Sequence, residues 1–338
     1  MELPESICLL FPPEERALLD ISTIKGDASN RQYFRVTGPG DTSVVCADPA
    51  FRAIATKDYP FLIVRGLFAR HGVRVPKLLG MAHEAGLLRL EDCGDLMLQD
   101  EVPLLERDRL SERYRQIIDL LVRIQSIRPD EKTPESAIPF SLSFDHEKLM
   151  FEFDFFIEHA LKGYFSGKLD DRAIAELRNE FVAITGLLVL PEHFVLNHRD
   201  FHSRNIMLFC DEPVIIDFQD ARLGLPQYDA VSLLRDSYVR LDPGMVNELK
   251  RYHFNQLIRL GLTSMDEAEY LRLFDLMAFQ RNVKAVGTFC YQTTVVGNHA
   301  FEPSIAATLS YLREYIDVQP ELAAAGALLG PIIPGISR

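Results

Sequence analysis

Close cysteine pairs, long uncharged apolar runs and an excess of basic residues are all missing from this sequence. Each absence removes a class of protein. The five cysteines stand at positions 8, 46, 93, 210 and 290. No two are near enough for a CxxC metal or redox pair, and the odd count reads as buried or free thiols in a reducing cytosol. The longest uncharged apolar tract near an end, 322–336, carries three glycines and two prolines. It is too short to span a bilayer, so a packed C-terminal helix with a tail is expected. Residues 1–5 have no basic region and lead into no long apolar stretch, so the expectation is a cytoplasmic chain without a secretory signal. Forty-nine acidic residues against 36 basic ones leave a net charge of −13. Broad nucleic-acid or anionic-membrane binding needs a basic surface, so neither kind of partner is expected, although a local basic site remains compatible with the total.

What is present is an ordinary globular composition. The 338 residues are 47% hydrophobic and 25% charged, which is enough for about two domains, each with its own core. The first hundred residues read as strand-rich. Strands are expected at 21–25, 32–37 and 43–47, between Gly-Asp and Gly-Pro-Gly turn signals. A helical period covers 57–71, and two more strands, 77–82 and 87–90, flank a turn at Glu84-Ala85-Gly86. After Gly94 the pattern turns helical. The segment 107–127 places Leu110, Tyr114, Ile117, Ile118, Leu121 and Ile124 on one face, and 145–165 and 170–188 are further helices. The proline- and charge-rich stretch 128–143 reads as a surface connection. Short strands at 194–196, 205–209 and 214–218 interrupt the helices, the last two joined by a turn at Asp211-Glu212-Pro213. From 227 onward the chain is helical again. The expected fold is α+β, with a small, mostly antiparallel β lobe over 1–94 and a larger helical lobe over 95–338.

The densest polar cluster runs from His198 to Asn205 and reads His-Arg-Asp-Phe-His-Ser-Arg-Asn. Asp217 follows twelve residues after Asn205, at the end of the apolar run Val214-Ile215-Ile216. A loop that ends in Asn205 and enters a hairpin returns Asp217 to the same edge. An amide oxygen and a carboxylate facing one point make a site for a hard cation such as the Mg²⁺ carried on nucleotide phosphates. Asp200, on the same loop, is placed to accept a proton from an attacking hydroxyl.

His-Arg-Asp-x-x-x-x-Asn followed by an apolar strand and Asp-Phe resembles the catalytic and metal loops of eukaryotic-like kinases. Within that group the chain is similar, over nearly its whole length, to the aminoglycoside phosphotransferase-like small-molecule kinases. More narrowly, it resembles the bacterial N-acetylmuramate/N-acetylglucosamine 1-kinases of cell-wall recycling. The stretches that carry this likeness are Gly-Asp-Ala-Ser-Asn-Arg-Gln-Tyr-Phe-Arg-Val from Gly26, Leu-Arg-Leu-Glu-Asp-Cys-Gly-Asp from Leu88, Asp217-Phe218-Gln219-Asp220-Ala221 running on to Tyr228-Asp229, and Gln280-Arg281-Asn282-Val283-Lys284 with Gly287-Thr288-Phe289.

The resemblance implies a two-lobed protein-kinase-like fold. It also implies transfer of the γ-phosphoryl of Mg-ATP to a hydroxyl, in particular the anomeric hydroxyl of an N-acetylated amino sugar. Asp200 would be the catalytic base or would orient the acceptor, and Asn205 and Asp217 would hold Mg²⁺. The loop from Gly26 to Arg31 would cover the triphosphate, with Ser29 and Asn30 offering hydrogen bonds to phosphate oxygens. Leu90 to Asp92 would be the hinge whose backbone reads adenine, the Glu91 and Asp92 side chains being incidental. Asp229 would brace the catalytic loop.

Two departures from the kinase pattern matter. The third strand reads Val44-Val45-Cys46-Ala47-Asp48 and lacks the lysine that usually clamps the phosphates. A counter-charge is still needed, and Arg31, Arg35, His202 and Arg204 are the nearest candidates. His202, two residues after Asp200, is the one best placed for the γ-phosphate. Gln219-Asp220 stands where protein kinases have glycine after Asp-Phe, and no long Ser/Thr/Tyr-rich segment follows. A small-molecule acceptor is therefore expected rather than a protein.

From Leu276 to Phe301 the chain has no acid yet carries Arg281, Lys284 and His299. A cationic acceptor would want carboxylates to pair with it, so Arg281 and Lys284 point to a neutral or anionic sugar. Glu152, Asp154 and Glu158 read as a solvated helix face, with an acceptor pocket as the other possibility. Rival functions are a kinase of another small alcohol, such as an aminoglycoside or choline-like compound, and a catalytically weak, nucleotide-binding regulator.

Overall fold

A computed structural model describes residues 3–24, 31–166, 170–333 and 336. In chain order its first elements are α1 (Leu3–Ile7), β1 (Asp20–Ile24), β2 (Gln32–Thr37), β3 (Thr42–Ala47), α2 (Pro49–Ala53), α3 (Pro60–Arg70), β4 (Leu78–Ala82) and β5 (Leu87–Glu91). There follow α4 (Leu98–Glu101), α5 (Arg107–Ser126), α6 (His146–Phe156), α7 (Asp171–Leu188), β6 (Val195–Asn197), β7 (Ile206–Phe209), β8 (Glu212–Ile215) and β9 (Arg222–Gly224). The chain ends with α8 (Gln227–Leu234), α9 (Pro243–Arg259), α10 (Glu267–Tyr291), α11 (Glu302–Val318) and α12 (Ala323–Leu329). Packing divides the chain into two compact units, 1–97 with 206–219, and 98–205 with 220–338.

The first unit is built on an antiparallel sheet of order β1-β2-β3-β5-β4. Alternation puts Val45 and Ala47 on one face, where they join Val36, Leu87, Ile7 and Phe11 in a small core. Each fully buried side chain of this kind contributes roughly 1.5–3 kcal/mol. The β4–β5 turn closes at Gly86, whose φ is +70° and whose added Cβ would stand 2.8 Å from the Asp48 carbonyl oxygen. Only glycine meets both conditions cheaply. Helix α3 starts with Pro60, where its missing N–H costs nothing. It buries Phe61, Val64, Leu67 and Phe68 at helical spacing. Phe61 and Phe68 pack on Phe218, with ring centroids 5.0 and 5.8 Å away.

The β7–β8 hairpin belongs to this first unit although it lies over a hundred residues downstream of the sheet. Its edges are claimed by Leu208 N–H donating to the Leu96 carbonyl and Ile215 N–H donating to that of Arg74, each at 2.9 Å. The turn expected at Asp211-Glu212-Pro213 is displaced. Cys210 and Asp211 take it, with φ of +53° and +65°, the left-handed pair that a two-residue hairpin requires. Pro213 lies within β8 opposite Leu208. Because Leu208 sends its N–H outward to Leu96, this pair exchanges no ladder bond there, and the missing proline donor is harmless.

The second unit is helical. Helix α5 buries Tyr114, Ile117, Ile118, Leu121 and Ile124, the face the sequence sets out. The helix expected over 145–165 runs as α6 and continues in π-helical winding from Ile157 to Tyr164. Helix α10 is central, with fifteen residues buried around its circumference. Caps set its start, as Asp266 accepts from Glu269 N–H at 2.8 Å. Strand β9 was not anticipated. At three residues it is too short to show a period, and its pairing with β6 makes it a strand. The C-terminal tract packs as expected, burying Leu322, Ala325, Leu329 and Ile333. Among the described residues no helix is long and apolar enough to cross a membrane.

Candidate active site

The loop that follows β6 is held from below by two buried carboxylates. Asp229, on α8, accepts the backbone N–H groups of His198 and Arg199, the latter at 3.0 Å, which is the bracing role expected of it. Asp236 accepts from Ser203 N–H at 2.8 Å and Tyr238 N–H at 2.9 Å. No spacing in the sequence pointed to Asp236. Burial raises both carboxyls above their usual range, Asp229 to about 7, against the pull of Arg281 and of these backbone donors. Arg199 is held at φ +89°, a conformation that costs a non-glycine residue about 1–3 kcal/mol. The loop is thus fixed by its supports.

Asp200 stands on top of this support. Lys284 Nζ lies 2.9 Å from its Oδ1, Arg281 reaches the same oxygen at 3.5 Å, and Arg199 Nε is 3.9 Å from Oδ2. Burial alone would raise the Asp200 carboxyl, but Lys284, then Arg199 and Arg281, hold it well below the usual carboxylate range. Arg281 is itself fixed, bonded to Ser232 Oγ with its guanidinium 4.4 Å above the Tyr228 ring. Arg199 makes a second ion pair with Asp220 at 3.1 Å.

A cavity of about 280 Å³ opens beside Asp200, and His202, Arg235, Tyr238, Arg281, Lys284 and Phe289 are among its lining residues. That volume lies just below the usual range of ligand sites, about 300–1,000 Å³. It suits a small molecule better than a protein segment. The acid-free run from Leu276 is therefore two things at once: the buried core of α10 and the source of the two cations on Asp200.

The other expected residues fall in different places. His202 packs edge-on to Tyr238 with ring centroids 5.4 Å apart. Burial pushes its imidazole down to about 3, in spite of Asp200 nearby. It is neutral at neutral pH, so it can offer a hydrogen bond but no counter-charge. The Arg204 guanidinium lies 4.5 Å over the same Tyr238 ring. Asn205 donates from Nδ2 to the Asp200 carbonyl at 2.9 Å, which turns its Oδ1 away from that contact. Oxygen ligands suit a hard cation, and this amide orientation fits the role.

In the first unit Asp217 adopts φ +61° and its Oδ1 accepts from Gln219 Nε2 at 2.8 Å. Arg31 Nε pairs with Asp48 Oδ2 at 2.9 Å, and its Nη1 is 3.8 Å from Asp217 Oδ1. Ser29 and Asn30 lie outside the described residues. Leu90 sits in the sheet between Val44 and Leu78. The side chains of the neighbouring acids are held in ion pairs. Asp92 takes Arg35 Nε at 2.8 Å and Gly94 N–H at 2.9 Å, and Glu91 takes both terminal nitrogens of Arg74 at 2.7 and 2.8 Å. Arg35 is thereby committed to Asp92 and Asp95 rather than available as a counter-charge.

Helix α6 corrects one further expectation. Asp154 is half-buried and Glu158, in the π-helical continuation, is exposed; they pair with Arg178 and Lys162. Glu152 turns inward, 4% exposed, and accepts from Gln280 Nε2 at 2.9 Å.

Comparison with known proteins adds a family. The model of the phosphotransferase enzyme family matches residues 20–267. An N-acetylmuramate/N-acetylglucosamine kinase of Neisseria meningitidis is 30% identical, across 93% of this chain and 91% of that protein. One from Pseudomonas aeruginosa is also 30% identical, across 91% and 87%. Among solved structures, an ethanolamine kinase of Plasmodium vivax aligns with a TM-score of 0.64 at 14% identity, covering 90% of this chain and 85% of that one. The ADP-bound aminoglycoside phosphotransferase APH(2'')-Ib aligns at 0.59 and 14%, covering 88% and 94%. At such identities these two establish the fold: α+β, two-lobed and kinase-like.

Proposed function

The chain belongs to the phosphotransferase enzyme family, and we propose that within it the protein is a cytoplasmic, ATP-dependent kinase of an N-acetylated amino sugar. It moves the γ-phosphoryl group to the anomeric hydroxyl. The observation that carries the reading is the pair Arg281 and Lys284, set on Asp200 at the wall of a small cavity. A wall that presents cations repels an aminoglycoside or a choline-like alcohol, whose ammonium groups need carboxylates. It accepts a neutral sugar and attracts one that bears a carboxylate. The two bacterial relatives, named for such sugars, support the same choice.

In the mechanism, the acceptor sugar lies in the cavity with its hydroxyl against Asp200. Asp200 is held so acidic that its main service is to orient the hydroxyl, taking the proton only as the new O–P bond forms. Lys284 and Arg281 keep the carboxylate ionised and face the charge that develops on the transferring group. Asn205 and Asp217 would hold Mg²⁺, which when bound neutralises phosphate charge. Asp229 and Asp236 keep the loop backbone in place. Leu90 to Asp92 offer backbone groups to the adenine edge, and Ser29, Asn30 and Arg31 serve the phosphates.

A coupled assay of nucleotide turnover tests the reading across N-acetylmuramate, N-acetylglucosamine, aminoglycosides and amino alcohols. Turnover is expected with the N-acetylated sugars. Turnover confined to an aminoglycoside or amino alcohol overturns the acceptor, and nucleotide binding with no turnover on any of them overturns catalysis.

A further inference from the structure

We propose that the turn of α10 beyond Lys284 is the subsite for the 2-acylamino group of the acceptor: Thr288 Oγ1 takes the amide N–H, and the Phe289 and Tyr238 rings enclose the acyl methyl. This rests on the protein being a kinase of N-acetylated amino sugars, and it names the residues that select them.

The position follows from the acceptor's chemistry and from helix geometry. In an amino sugar the anomeric hydroxyl and the nitrogen stand on neighbouring ring carbons. Once the hydroxyl lies against Asp200, the nitrogen stays beside the Asp200–Lys284 pair, whose Oδ1 and Nζ are 2.9 Å apart. An ammonium group there would meet Lys284 and Arg281 as like charges. Acylation removes that charge and leaves an N–H to donate and a methyl group to cover.

Helix α10 passes the cavity with Arg281, Asn282, Lys284, Ala285, Thr288 and Phe289, a stripe at helical spacing. At its N-terminal end the polar groups are already engaged. Arg281 bonds Ser232 Oγ and reaches Asp200. Asn282 donates from Nδ2 to the Arg235 carbonyl at 3.2 Å, and its Oδ1 accepts the Tyr315 hydroxyl at 3.0 Å. At its C-terminal end the stripe is short or apolar apart from one hydroxyl. Thr288 lies four residues after Lys284, about 6 Å further along the axis. Its Oγ1 donates to the Lys284 carbonyl at 3.2 Å. With its hydrogen so engaged, this half-buried hydroxyl meets a ligand as an acceptor, the match for an amide N–H.

Beside Thr288 the wall is aromatic and fixed. The Phe289 ring is 5% exposed. It stacks on Phe301 with centroids 5.7 Å apart and meets Tyr238 edge-on at 5.9 Å. Tyr238 is held in turn by its backbone N–H on Asp236 and by the Arg204 guanidinium over its ring. The same cavity carries Asp200, Arg235, Arg281 and Lys284. An apolar corner within it favours a methyl group and disfavours a bare polar one.

The test is a series of acceptors that differ only in the acyl group. N-formyl-, N-acetyl- and N-propionylglucosamine are compared by kcat/KM on the full chain. In the unaltered protein N-acetyl should exceed each of the others by about tenfold, the effect of one carbon in a fitted apolar pocket. This comparison needs no variant, so it stands whatever the folding of the variants. Phe289→Leu, which shortens the wall, should bring N-propionyl level with N-acetyl or above it. A merely structural role would lower all three acceptors together and leave their ratios unchanged. Thr288→Val should lower all three about tenfold, chiefly through KM, and Thr288→Ser, which keeps the hydroxyl, should restore most of that loss. Equal kcat/KM for the three acyl groups in the unaltered protein overturns the subsite. So do unchanged ratios in Phe289→Leu, or an undiminished kcat/KM in Thr288→Val. In each of these cases turnover of N-acetylglucosamine by the unaltered chain leaves the kinase reading standing. If the unaltered chain turns over none of the three, both readings fall.

Discussion

The Nζ of Lys284 lies 2.9 Å from Oδ1 of Asp200, a contact between residues 84 positions apart. The carboxylate expected to orient the acceptor is therefore not a free base at the mouth of a cavity. It is the anionic centre of a cluster with Arg281 and Arg199, and several consequences can be measured.

Asp200→Asn removes the anion and leaves the cations facing one another. Turnover should fall about a hundred- to ten-thousandfold, the range for losing a positioned acid–base group. Asp217→Ala should fall comparably. Both variants should keep the circular dichroism of the unaltered protein, because neither side chain fills a core. Near-normal turnover in either one would falsify its assignment.

Lys284 supplies the largest attraction opposing the burial of Asp200. In Lys284→Met the carboxyl pKa therefore rises, and the acid limb of kcat/KM moves toward neutral pH. Stability follows the same linkage. A depressed folded pKa stabilises above the unfolded value of about 3.9, and the gain is lost as pH falls through the lower folded value. The variant should accordingly lose more Tm at pH 7 than at about pH 3. An unshifted acid limb in a folded variant counts against this role.

Asp229 works in the opposite direction. Burial raises it to about 7, so between about pH 4 and 7 the folded chain binds more protons than the unfolded one. Its contribution is complete below about pH 4 and is lost as pH rises through 7. Asp229→Asn, always neutral, should show a flatter Tm profile over that window by scanning calorimetry. Its single carbonyl oxygen must also serve two backbone donors, His198 and Arg199, so turnover should drop as well. Parallel Tm profiles for the two proteins would contradict the assignment.

His202 is held neutral, with a pKa near 3. Ring resonances followed by NMR should show no titration of this histidine between about pH 5 and 8, where an ordinary histidine titrates at about 6.5. A midpoint inside that range would restore it as a counter-charge candidate.

Gly287 lies on α10, one turn beyond Lys284. A Cβ there would stand 2.9 Å from Phe156 Cα and 3.2 Å from its Cβ. Exchanging a helix glycine for alanine favours the helix by about 1 kcal/mol, but overpacking against α6 costs about 1–3 kcal/mol. The cost should prevail in Gly287→Ala, lowering Tm and turnover together. A raised Tm would mean that the two helices can part without loss.

Much of the second unit was legible because local pattern and burial agree there. The face of α5 from Tyr114 to Ile124 is a helical period that the core then uses. The loop from His198 to Asn205 was legible because its chemistry is contiguous in the chain. The hairpin turn was misplaced because Glu212 and Pro213 resemble turn residues, whereas the backbone puts left-handed conformations at Cys210 and Asp211. Glu152 was misread because its spacing suits an exposed face, whereas its burial and the Gln280 contact turn it inward.

The sequence by itself determined the family, most of the order of elements and the polar loop that carries Asp200, because these depend on short runs of residues and their spacing. Tertiary structure alone decided which charges meet. Lys284 and Arg281 come to Asp200 because α10 packs at the centre of its unit, and Arg31 comes to Asp48 because of strand register. Electrostatic partners are chosen by distance and burial, and a charge count of −13 carries neither.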